Sequence, residues 1–269
     1  MLHARITEGQ FADDSVLFAT TRYGMVLAIT SLCDVAADFG LTVSCSKTKF
    51  MVAEVDVCDE DVAPIIVGDA SISHVPDFRY LGSLIDNSGR SSRDIGARIS
   101  AASRAFGALR RPVFLNAHLS ITTKCLVFNT CVLSFLLYGA ECWVPLQQDV
   151  RRLSSFYLAC IRSILGISKR DVMRTHLTNE QVLSCWGDAC TMPAILLHQR
   201  FQWLGHVARM PDDRIPKVLL FGLLPQRRPP GGPRKRWRDC VPADLKAVHL
   251  PCGIPWPSLA RIGGLCSAV

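Results

Sequence analysis

The chain has 269 residues, 49% of them hydrophobic and 20% charged, with a formal net charge of +7. That apolar content excludes an intrinsically disordered protein, and the length allows one large domain or two smaller ones with an ample core. Charge is unevenly spread: residues 1–73 hold 4 basic and 11 acidic side chains, residues 74–144 hold 8 and 4, and residues 145–269 hold 18 and 8. A gradient from net −7 to net +10 fits a metal-binding end joined to a polyanion-binding end, although a solvated surface tolerates it too. Twelve Cys would suit a disulfide framework, but no signal-peptide pattern and no C-x-x-C pair accompany them. Their mostly apolar helical surroundings read as reduced core residues of an intracellular protein, nuclear or cytoplasmic and not secreted.

The first segment in chain order breaks the binary pattern most sharply. Gly9-Gln10-Phe11-Ala12-Asp13-Asp14-Ser15-Val16-Leu17-Phe18-Ala19 sets adjacent acids between apolar flanks, and such local violations often mark functional sites. Asp disfavours strand interiors and favours tight turns, so residues 1–20 are expected to form a strand, an Asp-Asp turn and a strand. An ordinary hairpin with a polar tip has the same pattern. Met25, Leu27, Ile29, Leu32, Val35, Ala36 and Phe39 recur at roughly helical period and predict a helix over 22–39, stopped by Gly40. Residues 41–54 alternate like a strand with Lys47 and Lys49 on one side, and residues 55–70 read as an acidic loop. Two short strands split at Pro76 are expected over 72–85, then a turn at Asp86-Asn87-Ser88-Gly89.

Beyond residue 90 the period is helical. Ser91 or Ser92 caps a helix expected to reach about Arg111, with Ile95, Ile99, Ala102, Phe106 and Leu109 on one face and Pro112 as its stop. Further helices are expected at 119–141, 149–165, 178–187 and 193–210. The apolar run 125–146 is interrupted by Asn129, Thr130, Ser134 and Glu141, which favours a buried helix over a membrane span. Cys185, Cys190, His198 and His206 have donor types that suit zinc, but their gaps of four, seven and seven residues match no compact finger. Core Cys and helix-face His is the preferred reading. From Pro211 the chain reads as loop-like, and residues 226–238 form a Pro/Gly-rich basic segment. There Arg227, Arg228, Arg234, Lys235, Arg236 and Arg238 would neutralise phosphates while Trp237 stacks on a base; a nuclear-localisation segment or a solvated tail has the same composition.

The order of these motifs resembles the reverse transcriptase of non-LTR (LINE-like) retrotransposons. The match runs through F-A-D-D at 11–14, F-G-L-T-V-S-C-S-K-T-K at 39–49, F-R-Y-L-G-S-L-I at 78–85, L-L-Y-G-A-E-C-W at 136–143, W-L-G-H-V-A-R-M at 203–210 and G-P-R-K-R-W-R-D at 232–239. F-A-D-D alone is weak, whereas the ordered set spans nearly the whole chain. The resemblance implies an α+β fold: a truncated polymerase palm over 1–90 (antiparallel hairpins plus a helix), a helical thumb-like region over 91–170, and a helical and basic, Pro/Gly-rich C-terminal extension over 171–269. It implies RNA-directed DNA synthesis with Mg²⁺, RNA and DNA as partners, and no membrane. Asp13 is then a metal-binding acid and Asp14 its partner, Lys47 assists the leaving pyrophosphate, and Tyr80, Leu81 and Gly82, with Phe78, belong to a hairpin that supports the primer end. Two-metal nucleotidyl transfer needs carboxylates that hold both ions close together, and the family draws a further Asp from a strand upstream. Only ten residues precede Phe11, so catalysis by this chain alone is not expected. A nucleic-acid-binding module built on the basic half, and a translated relic without function, are the alternatives.

Overall fold

A computed structural model of the chain describes residues 7–53, 58–68, 70–187, 189–221 and 235–248. They fall into two units, Met1–Gly89 and Arg90–Val269. The secondary structure is mixed α and β, with all the described strands in the first unit.

The first unit opens with β1 (Glu8–Phe11) and β2 (Asp14–Leu17), an antiparallel pair in which Phe11 faces Asp14 across a two-residue turn. Helix α1 (Arg22–Asp38) follows. Thr21 caps its start, the Gly24 N–H donating to Thr21 Oγ1 at 3.1 Å. At the other end Gly40 takes φ +70°, a left-handed conformation that costs glycine little, and the Leu41 N–H donates to the Ala36 carbonyl at 2.8 Å. Helix α1 thus starts and stops where the sequence predicts. A three-stranded sheet comes next, in the order β3 (Lys49–Phe50), β5 (Ala70–His74), β4 (Ile65–Val67), with β3 parallel and β4 antiparallel to the central strand. A single helical turn, α2 (Asp59–Val62), leads into it. Hairpin β6 (Asp77–Tyr80) and β7 (Ser83–Asp86) ends the unit. Its core is small: Ile29, Phe50, Ile65 and Ile72, with Leu17, Met25 and Cys33 partly buried against them.

Three expectations need correction here. The strand expected over 41–54 shrinks to two residues, because the Ser44 carbonyl accepts the N–H groups of Lys47 and Thr48 and the Thr48 hydroxyl, curling the chain into a turn. Residues 55–70 are not wholly a loop, since they include α2 and β4. The segment 72–85 breaks twice: at Pro76, as expected, and again at Leu81-Gly82.

The second unit is helical. Helix α3 (Ser92–Leu109) buries Ile95 and Ala102 and does not end at Pro112; the chain continues through a π-helical turn, Arg110–Phe114. A wider turn accommodates a residue that lacks an N–H and whose ring crowds the preceding turn. The segment Ile121–Cys142 has mean hydropathy 1.6 and is long and apolar enough, by length and composition, to cross a membrane. It is not one regular helix: α4 (Ile121–Phe128), a π turn (Asn129–Leu133), α5 (Ser134–Leu137) and a 3₁₀ turn (Ala140–Cys142) follow one another. Phe128, Val132, Leu136 and Ala140 are wholly buried at steps of four. From Phe128 to Leu136 each such step overshoots a 3.6-residue turn by about 40°, and the wide turn at Asn129–Leu133 takes up that drift; Ala140 is brought to the core by the break at Tyr138 and Gly139.

Helices α6 (Gln147–Leu165), α7 (Lys169–Thr175), α8 (Asn179–Cys185) and α9 (Met192–Arg209) complete the main core. Around Phe128, the Trp186 ring packs edge-on at 5.7 Å and the Tyr157 ring at 6.0 Å. Val182, Leu183, Met192 and Leu196 are buried in the same cluster as Ile95 and Ile161, so no division falls at residue 170. The region after Pro211 is not all loop. Helices α10 (Ile215–Phe221) and α11 (Val241–Ala247) lie in it, and Val241 and Leu245 of α11 close a second cluster with Phe201 and Leu204 of α9. Arg200 and Asp244 lock this contact through two hydrogen bonds of 2.6 and 2.9 Å.

Candidate functional site

The β1–β2 hairpin presents the acidic pair. Its two central residues are Ala12 and Asp13, one position earlier than the Asp-Asp turn read from the sequence; Asp14 is the first residue of β2. Ala12 takes φ +54°, a conformation that costs a residue with a Cβ of order 1 kcal/mol. Backbone strain therefore sits beside the two carboxylates, and both side chains are exposed. Phe11 flanks them at 62% exposure. Among the described residues, two cations of the same unit are engaged away from this pair. Arg22 donates to the carbonyls of Asp61 and Pro64 at 3.2 and 2.8 Å, and Lys49 donates to Ser73 Oγ at 2.9 Å. Two exposed adjacent carboxylates draw positive ligands. Mg²⁺ is commonly held by one or two carboxylates together with substrate phosphates, so Asp13 and Asp14 suit it chemically. They do not close a site: among the described residues no three His, Cys, Asp or Glu side chains converge where a metal could be held.

Lys47 lies in the exposed turn after Ser44, and its ammonium makes no ion pair among the described residues. Tyr80, Leu81 and Gly82 form the tip of the β6–β7 hairpin, where Leu81 and Gly82 take φ +47° and +82°. Positive φ at both central positions is the turn whose twist matches paired strands, and Gly82 suits it better than Leu81 does. Phe78 and Ile85 face each other across this hairpin and are both exposed, a small apolar patch beside the tip.

Of the basic segment, Arg227, Arg228 and Arg234 lie outside the described residues. Lys235 is exposed, and Arg236 and Arg238 are half-buried. The Arg236 N–H donates to the Asp239 carboxylate at 2.8 Å. Trp237 packs against the α9–α11 cluster and its Nε1–H donates to the Glu141 carbonyl at 2.7 Å. This contact holds the segment against the 3₁₀ turn at Ala140–Cys142 and leaves the ring half-buried.

The motif L-L-Y-G-A-E-C-W proves architectural. Trp143 Nε1 donates to the buried Asp94 carboxylate at 2.9 Å, the Arg98 guanidinium lies 4.4 Å from the Tyr138 ring centre, and the Val144 N–H donates to Ser91 Oγ at 3.0 Å. Asp149, also buried, accepts from Ser92 Oγ at 2.6 Å and from the Leu146 N–H at 3.2 Å. Residue order hid the long-range pairings, Trp143–Asp94, Val144–Ser91 and Ser92–Asp149, which lie 49, 53 and 57 positions apart. His206 is exposed and lies against the Trp203 ring at 5.5 Å. The ten described cysteines are all free, but only Cys160 and Cys240 are buried. Burial pushes the Cys160 thiol up to about 12, so it is an inert core residue.

No family model matches the sequence, and no solved structure matches it significantly. The chain is 25% identical over 272 residues to an uncharacterised transposon-derived protein of Caenorhabditis elegans, a match covering 95% of this chain and 92% of that one. Similarity along nearly the whole of both chains points to a transposable-element origin.

Proposed function

We propose that the chain is the C-terminal part of an RNA-directed DNA polymerase of the non-LTR retrotransposon kind, with the β1–β2 hairpin as one wall of its metal site. The observation that carries this reading is the two-residue hairpin tip, where Ala12 is held at positive φ between Phe11 and the carboxylates of Asp13 and Asp14. Support comes from the ordered motifs and from similarity to a transposon-derived protein over 95% of the chain. Mg²⁺, when bound, would bring incoming phosphates to the carboxylates and offset charge on the attacking and leaving oxygens. Asp13 and Asp14 would hold it, and the Tyr80–Gly82 hairpin tip would support a primer end. A further carboxylate from outside the described residues is needed to close the site.

Manganese titration followed by NMR tests this. Paramagnetic broadening is expected at residues 11–16 and is lost in Asp13→Asn/Asp14→Asn, while Mg²⁺-dependent primer extension on an RNA template by the chain alone stays at background. Equal broadening in the parent and the double variant would overturn the assignment of the hairpin.

A further inference from the structure

The apolar segment that runs through α4 and α5 turns only one of its sides to the core. Phe128, Val132 and Leu136 are wholly buried, whereas the residues two positions before each of them, Leu126, Thr130 and Ser134, are exposed. A step of two rotates a helix by about 200°, so these three lie on the opposite side. Tyr138 follows with a helical φ of −60° and continues their line. Leu126 is 64% exposed and Tyr138 51%, with Phe135 beside them at 50%. Apolar side chains gathered on one side, rather than scattered singly, mark an interaction face.

Two features fit this side to be covered. Its hydroxyl groups are already satisfied: Thr130 Oγ1 donates to the Leu126 carbonyl at 2.9 Å and Ser134 Oγ to the Thr130 carbonyl at 2.5 Å, so covering them leaves neither proton unmet. The side also carries no charge. Between residues 121 and 140 the sole charged residue is Lys124; it falls four positions before Phe128, on the core-facing line, and is half-buried. Around this strip the stretch 91–170 holds 11 Lys and Arg against three acids. A polyanion therefore finds no cation on the strip itself. A bilayer fits it poorly as well. The 17 residues from Ile121 to Leu137 extend about 25 Å, short of roughly 30 Å of hydrocarbon, and their other side is committed to a protein core.

We propose that the outer side of α4 and α5 docks a second copy of the chain, face to face about a two-fold axis. An isologous contact sets a patch against itself, so two strongly basic units meet without like-charge repulsion only at a charge-free patch. The line is also its own complement in shape. Leu126 and Tyr138 stand six positions either side of Val132, and Thr130 and Ser134 stand two positions either side. Antiparallel copies thus set Leu126 against Tyr138 of the other copy. The small Thr130 and Ser134 meet at the centre, where they let the helix axes approach to about 8–10 Å. Tyr138 is held in advance for this contact, because the Arg98 guanidinium lies 4.4 Å from its ring centre. The contact offers about ten residues a side, where a standard interface has roughly 20–30, so the dimer belongs to the weak, concentration-dependent class. This inference goes beyond the polymerase reading and uses none of the residues that reading assigns.

Sedimentation equilibrium of the full chain, freed of nucleic acid by nuclease, is the test. The mass is expected to rise from one chain towards two as concentration passes through about 0.1 mM. Association should tighten between about 0.05 and 0.5 M salt, as screening relieves repulsion between the basic units. Thr130→Lys and Thr130→Glu each set like charges beside the two-fold axis. Each should weaken association roughly tenfold or more, with circular dichroism and Tm unchanged. An equimolar mixture of the two variants should regain association as a heterodimer, which chains damaged in folding could not do. Met173→Lys adds the same charge on α7, at a residue 77% exposed, and should associate like the parent. A parent that stays monomeric throughout, association that weakens with salt, or a mixture no better than either variant would overturn the proposal. Capture of the parent by phosphatidylcholine vesicles in place of dimer formation would overturn it too.

Discussion

Trp143 shows how a side chain that a motif picks out can act at a distance from any site. Its indole N–H ends on Asp94 and its ring fills the core at 3% exposure, so the residue fastens the turn after α5 to the start of α3. Buried polar groups of this kind are satisfied or they destabilise. Two other buried residues give the chain a measurable response to alkali. Burial lifts Cys160 from 9.0 to about 12 and Tyr157 from 10.0 to about 12, the second helped by nearby Cys190 and Cys125. In the unfolded chain both groups lose their protons first. Their contribution to stability is therefore complete below pH 9 and declines as pH rises from 9–10 towards 12, by up to about 1.4 kcal/mol per pH unit for each group. Urea denaturation between pH 8 and 11 is expected to show a shallower decline for Cys160→Ala/Tyr157→Phe than for the parent. Parallel curves would show that neither group is the source.

Single elements were legible where sequence pattern and local chemistry agreed. Helix α1 has an apolar period, a capping Thr21 and a stopping Gly40, and it forms where these place it. Helices α7, α10 and α11 were not: each has seven residues, as does α8, which was expected over 178–187, and in α10 and α11 the neighbouring Pro and Gly read as loop. Their stability comes from what they dock on. Helix α11 depends on Asp244, whose carboxylate meets Arg200 in a nearly dry contact. Asp244→Ala strands that guanidinium and is expected to cost about 3–5 kcal/mol, against a much smaller loss for Arg200→Met/Asp244→Leu, where no charge is left behind. Trypsin would report the difference at Lys235 and Arg236: rapid cleavage in the single variant and near-parental rates in the double. Cleavage at the same rate in all three proteins would mean that the ion pair does not hold α11.

Across the whole molecule the two units differ in how much they bury. Among the described residues the first closes over four buried apolar side chains and leaves Tyr23, Leu27, Val35 and Phe39 exposed along α1, with Phe11 and Phe18 exposed on or beside the hairpin. The second buries eighteen in its main cluster alone. A small core offset by exposed apolar surface gives low local stability. Hydrogen exchange is expected to be fast over 8–17 and 22–38 and slow over 92–109 and 147–165. Uniform protection across the chain would contradict that order.

Composition and period alone determined that the chain folds, that strands come first and helices after, that α1, α3, α6 and α9 exist, and that acid gathers early and base late. Each of these depends on neighbouring residues, whose spacing encodes a local preference. Only the tertiary structure decided that Ala12 and Asp13 are the tip of the first hairpin and that Leu81-Gly82 turns the second. It alone committed Trp237 to the Glu141 carbonyl and buried Asp94 and Asp149. Long-range pairing settles these, since whether an acid stays in solvent depends on partners some fifty positions away.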